Sequence, residues 1–189
     1  MPNHVHQIRQ ELPAVLLFVL AIWGVFLLDR VLPLEQYGLV PREISGLIGI
    51  VTMPFLHADL THLLNNTLPL VVLLLLLAGS RADSRAVVVI VAVLGGLLLW
   101  LFGRGHALHI GASGLVFGLA VFLIVSGLRE RRMLPLMISL LVVFMYGTSL
   151  LAGLWPWQRG VSWDGHLFGG IAGAVAAWLL VMPKTKRFP

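Results

Sequence analysis

No cysteine occurs anywhere in the 189 residues, which excludes disulfide staples and thiolate metal centres together. Charge is nearly as scarce. Asp, Glu, Lys and Arg make up 11% of the chain, where a soluble domain carries about a quarter. Linker-like and low-complexity stretches are also missing, and no internal repeat is evident. What remains is apolar: 59% hydrophobic residues and a mean hydropathy of +0.97. No soluble domain can hide that much apolar surface, so the composition specifies a polytopic membrane protein. The net charge of +5 does not call for nucleic acid, because the basic residues fall between apolar runs, where membrane topology accounts for them.

Six runs are long enough to span, which predicts an all-α, six-helix membrane bundle occupying the whole chain, 1–189, as one domain. They cover about 12–28, 60–78, 86–102, 114–128, 133–152 and 165–182. The first follows Arg9 as a signal sequence would, but lacks a small-x-small cleavage site and reads as an uncleaved helix. Between Val31 and Leu56 lies a connection too long and too apolar to be plainly solvated; a loop in the membrane interface suits it. Asp59 or Thr61 is placed to cap the second helix. Pro69 and Pro135 fall inside spans, where neighbouring helices can satisfy the freed carbonyls. Trp100, Trp155, Trp157 and Trp163 collect at one interface, as an aromatic belt does.

Basic residues orient the bundle. Arg9, Arg81, Arg85, Arg129, Arg131, Arg132, Lys184, Lys186 and Arg187 share one side, against Arg30, Arg42, Arg104 and Arg159 on the other. That bias places both termini in the cytoplasm, in the plasma (inner) membrane if the source is bacterial. Depth then follows from helical rise. Ser113 precedes Arg129 by sixteen residues, or ~24 Å, against a hydrocarbon core of ~30 Å. His166 and Asn66 come out at ~27 Å and ~22 Å by the same measure. Three polar residues on three helices therefore share one layer, below the outer edge. Polar side chains at that depth are costly and usually functional.

Their types suggest chemistry. Ser113 stands in Gly111-Ala-Ser-Gly114 at the start of the fourth span, where first-turn N–H groups are unpaired and the helix dipole is positive. An oxyanion forming there would find donors already aimed at it. A serine hydroxyl needs a base, and neutral imidazole is the usual one, which nominates His166. Gly114 and Gly118 on the fourth span, and Gly165, Gly169 and Gly173 on the sixth, repeat at the four-residue spacing that lets two helices approach closely. Phe117, one turn below Ser113, can pack on the imidazole. His62 and Asn66 share a face of the second span and can donate to the oxyanion beside the Ser113 N–H. His57 reads as structural, holding the loop above the site. Asp164, two residues before His166, invites a triad, but reads better as a helix N-cap.

The set His57, His62 and Asn66, then Gly111-Ala-Ser-Gly114, then Gly165-His166 with Gly169 and Gly173, resembles the rhomboid family of intramembrane serine proteases in order, spacing and span placement. The resemblance covers essentially the whole chain. It implies a Ser113/His166 dyad with His62, Asn66 and the Ser113 amide as the oxyanion hole. It also implies cleavage of transmembrane segments of other proteins near the outer face, with the lipid bilayer as solvent and with no metal, cofactor or nucleic acid. The fifth helix and the loop over the site are the parts the family uses to admit substrate. Two positions depart from the pattern: Pro41-Arg42 stands where many members have a Trp-Arg pair, and Phe117 where some have tyrosine.

Three rival readings are specific enough to test. A metal site built from His57, His62, His106, His109 and His166 would need ligands that converge; His106 and His109, beside Arg104, are expected to be solvated. A catalytically silent rhomboid-like protein would bind client helices without cutting them, although such relatives typically lack the serine or histidine. A transporter would need paired polar interruptions at mid-membrane, and none is seen.

Overall fold

The structure, a computed structural model, describes residues 4–80, 82–157 and 160–182. Arg81, Arg159, Lys184, Lys186 and Arg187, used above for orientation, lie outside the described residues. Apart from one isolated β-bridge between Leu39 and His109, regular structure among the described residues is entirely helical. Six long helices carry the fold: α1 (His4–Leu28), α2 (Leu60–Ala78), α3 (Ser84–Phe102), α4 (Ser113–Glu130), α5 (Met133–Gly153) and α6 (Trp163–Leu180).

Their ends follow local chemistry. Asp59 caps α2 by accepting from His62 N–H at 2.8 Å, so Thr61 is not needed there. Asp83 caps α3 through the N–H groups of Arg85 and Ala86, which starts that helix two residues before the apolar run. Arg131 takes a left-handed conformation (φ 49°) and ends α4. At the end of α6, the Arg129 guanidinium donates to the Val181 and Trp178 carbonyls and stacks on the Trp178 ring.

Burial ranks the helices. More than half of α4 is enclosed, whereas α5 buries only Ser139 and Val142. α5 packs chiefly on α4, where Gly127 lies against Pro135 and Ser139, and its other faces, including Phe144 and Leu151, are bare. α6 runs between α3 and α4. A Cβ on Gly169 would fall on the Gly114 carbonyl, and one on Gly173 on the Gly118 carbonyl. The two glycine stripes therefore meet backbone to backbone, in register. Five helices, α1 to α5, are long and apolar enough to cross a membrane. α6 has the length but falls short in hydropathy, because it carries Asp164, His166 and four glycines. Its glycine face is covered by α3 and α4, so only the opposite face, with Ile171, Trp178 and Leu179 exposed, needs to suit lipid.

The connection from Val31 to Asp59 is neither coil nor span. It forms short helical turns at Leu34–Tyr37, Ser45–Ile48, Gly49–Thr52 and Met53–Phe55. Ile50 packs against Gly96 of α3. Its anchor uses Arg42 in place of a Trp-Arg pair. Arg42 N–H donates to the Trp100 carbonyl at 2.9 Å, and Arg42 Nη1 to the Gly103 carbonyl at 2.7 Å. Trp100 Nε1 returns a bond to the Glu43 carbonyl at 2.8 Å. The orphan carbonyls at the end of α3 are thereby satisfied from the loop.

Candidate active site

Ser113 owes its place to a bend that needs glycine. Gly111 has φ +110°, a conformation L side chains rarely adopt, and a Cβ there would also meet His62 Nε2 at 2.6 Å. The Gly111 N–H is held by the Met53 carbonyl at 2.9 Å. The chain then turns into α4 with Ser113 as its first residue and no side-chain cap. Its first-turn N–H groups have no intrahelical acceptor.

Across from it, His166 lies on the first turns of α6 and is 8% exposed. His166 Nε2 is 2.8 Å from Ser113 Oγ. The other ring nitrogen, Nδ1, is 2.8 Å from the Gly153 carbonyl. A carbonyl can only accept, so Nδ1 carries the proton and Nε2 presents its lone pair to the serine hydroxyl. Gly153 is the last residue of α5, and its carbonyl is among those a helix end leaves without an intrahelical partner. Phe117 stacks on the imidazole with centroids 4.0 Å apart and planes 9° from parallel. Two contacts therefore set the ring's rotation and one sets its tautomer.

From α2, His62 and Asn66 face the same hollow, of about 820 Å³, which Ser113 and His166 also line. Asn66 is buried and donates one amide hydrogen to the His62 carbonyl at 2.8 Å, leaving its second hydrogen free for a ligand. His57 is fully buried, its ring edge-on to His62 at 5.0 Å and its Nδ1 3.4 Å from the Phe55 carbonyl. Burial, then the neighbouring His62, pushes the His57 imidazole down to about 4.

Two expectations need correcting. His109 is not solvated: it is 2% exposed, with Nδ1 2.5 Å from Ser162 Oγ, and burial holds its imidazole below the usual range. His106, three residues earlier, is exposed. Asp164 is not an N-cap either. It sits inside the first turn of α6 and its carboxylate takes three bonds from Arg104, at 2.9, 3.1 and 3.3 Å. The group behind the imidazole is a main-chain carbonyl, which sequence reasoning missed. Among the described residues no three His, Asp or Glu side chains come close enough together to hold a metal ion.

With this geometry in place, comparison with known proteins is decisive for kinship. A model of the rhomboid domain matches residues 45–183. The chain belongs to the rhomboid family. An uncharacterized protein of Mycobacterium tuberculosis is 43% identical over 183 residues, covering 91% of this chain and 76% of the relative. One from Mycobacterium leprae is 41% identical, covering 91% and 72%. A more distant relative, named "Putative rhomboid protease YdcA" in Bacillus subtilis, is 24% identical and covers 92% of both chains. Family and apolar helices together make this rhomboid an integral membrane protein.

The two buried loop histidines should make the fold acid-sensitive. Both have folded-state values below the ordinary 6.5, so the unfolded chain takes up protons first as pH falls. Their contribution is fully present above about 6.5 and is lost as the pH falls below it, for His57 on the way down to about 4. Melting in detergent should therefore move to lower temperature between pH 7.5 and pH 4.5, with a shallower slope for His57→Gln. An unchanged slope in that variant would contradict the assignment.

Proposed function

We propose that this rhomboid is an intramembrane serine endopeptidase, cleaving a peptide bond in or beside the transmembrane segment of another membrane protein. The observation that carries the reading is the 2.8 Å approach of Ser113 Oγ to His166 Nε2, with Nδ1–H already committed to the Gly153 carbonyl. The family, generally one of intramembrane serine proteases, supports it.

In this reading Ser113 Oγ attacks the scissile carbonyl while His166 Nε2 takes the hydroxyl proton. The oxyanion forms against the Ser113 N–H, His62 and the free amide hydrogen of Asn66. His166 then protonates the leaving amine; water entering the hollow next gives a proton to His166 Nε2 as it attacks the acyl carbonyl, and that proton passes to Ser113 Oγ as the carboxylic acid leaves. Two helix ends assist: the positive N-terminus of α4 lies at the oxyanion, and the negative C-terminus of α5 lies at the imidazolium. Among the described residues Arg9, Arg85, Arg129, Arg131 and Arg132 lie at the end away from Ser113, against Arg30, Arg42 and Arg104 at its own end. In this reading that bias supports a hollow that opens to the outer side of a plasma membrane, with the far end in the cytoplasm.

The test is purified protein in liposomes with a single-span substrate, alongside fluorophosphonate labelling. Two fragments and a label on Ser113, both insensitive to chelators, are expected. Asn66→Ala should lose about 10²-fold in kcat, as removal of one oxyanion donor does elsewhere. Folded protein that captures the substrate helix but neither labels nor cuts would replace this reading with that of a client-binding rhomboid.

A further inference from the structure

The glycine seam between α4 and α6 sets how closely those helices approach, yet it does not hold the loop that leads into Ser113. That loop, Gly103 to Gly111, is tied down by a separate cluster at the start of α6. Asp164 lies two residues before His166 and its side chain is only 3% exposed. Its Oδ2 accepts from the main-chain N–H and the Nε of Arg104, and its Oδ1 from Nη2, which also reaches the Val161 carbonyl at 3.2 Å. His109 lies four residues before Ser113. Its Nδ1 meets Ser162 Oγ, its Nε2 stands 3.8 Å from Asp164 Oδ2, and its backbone exchanges two hydrogen bonds with Leu39 at 2.8 and 2.9 Å.

Such a cluster contributes little to stability. Burying one partner of an ion pair costs about as much as the pairing returns, and Arg104 is still 45% exposed. What it does supply is direction. A carboxylate bonded to both the main chain and the guanidinium of one residue leaves loop and helix a single relative position. The serine follows the loop and the histidine follows the helix. Any slip between them therefore lengthens the Oγ–Nε2 contact.

We propose that Arg104, His109, Ser162 and Asp164 are positioning residues, a clasp that holds Ser113 Oγ in line with His166 Nε2. This rests on Ser113 and His166 being nucleophile and base. The carboxylate nearest the histidine in sequence thus acts on the serine side of the site, through the loop, and not as a third member of a relay.

The experiment is a double-mutant cycle with Arg104→Gln, Asp164→Asn and the combined protein. It follows fluorophosphonate labelling of Ser113, kcat and KM for a single-span substrate, and melting in detergent. Each single variant should label and turn over about 10- to 10²-fold more slowly, the range a misplacement of about 1 Å produces, with KM near wild type. The combined variant should be no slower than the worse single one, because both break one clasp. Arg104→Gln leaves the Asp164 carboxylate buried without its counter-charge and should lower the melting temperature, so labelling is compared well below the melting of every variant, where position is read separately from folding. Wild-type labelling rates in folded variants, or losses that multiply in the double, overturn the clasp. Failure of the wild type itself to label or cut overturns the serine–histidine reading instead.

Discussion

His166→Ala will abolish cleavage of a single-span substrate, with kcat falling by at least about 10⁴-fold, and Ser113→Ala will do the same. The combined variant will be no worse than either alone, since nucleophile and base act as one unit. The reasons are local. His166 Nε2 is bonded to the serine hydroxyl, and Nδ1 is bonded to a carbonyl that holds the ring in the base-competent tautomer. Among the described residues the other imidazoles near the site have different places: His62 faces the hollow from α2 on the oxyanion side, His57 is buried behind it, and His109 is engaged with Ser162. Both variants should melt close to wild type, because the α4–α6 seam lies below the pair and is untouched. A His166→Ala protein that still turned over substrate at a rate comparable with wild type would show that another group takes the proton.

The second large effect concerns folding. Gly169→Val should destabilise the bundle by at least about 2 kcal/mol and cost most of the folded yield. A Cβ at residue 169 would collide with the Gly114 carbonyl and approach the Gly114 Cα at 3.0 Å, and neither is a side chain that can rotate away. Relief requires α4 and α6 to separate, which also pulls Ser113 from His166. Gly170→Ala is the control. Its Cβ would meet only Val121 Cγ2 at 3.5 Å, an ordinary contact, so it should melt like wild type. Thermal unfolding in detergent separates the two outcomes, and equal melting for both variants would mean that α4 and α6 can part at the seam at little cost. The same collision is repeated one turn on, at Gly173 over the Gly118 carbonyl.

Much of this could be read before any coordinates. Apolar runs of span length fix a membrane bundle because the bilayer core demands helices of that length. Counting residues from Ser113, Asn66 and His166 to the next charges put the three in one layer, since helical rise is constant. The glycine repeats on the fourth and sixth spans announced a close approach, because little else explains small residues every four positions on both.

Chain order could not assign partners, and there the reading failed. Asp164 looked like a cap because capping is a local habit of Asp, but its carboxylate is claimed by Arg104, sixty residues away. His109 looked solvated because its neighbours Arg104 and His106 are polar. It is buried because Leu39 and Ser162 close over it. The acceptor for His166 is the Gly153 carbonyl, and every residue has a carbonyl, so no residue type advertises it.

Composition and spacing by themselves determined the class of protein, the number of helices and which side chains share a depth, because hydropathy and helical rise act along the chain. Only the tertiary structure decided which nitrogen of His166 faces the serine, what holds the loop before Ser113 and how closely α4 and α6 meet. Those depend on backbone groups and on contacts between segments more than fifty residues apart, for which a linear pattern carries no signal.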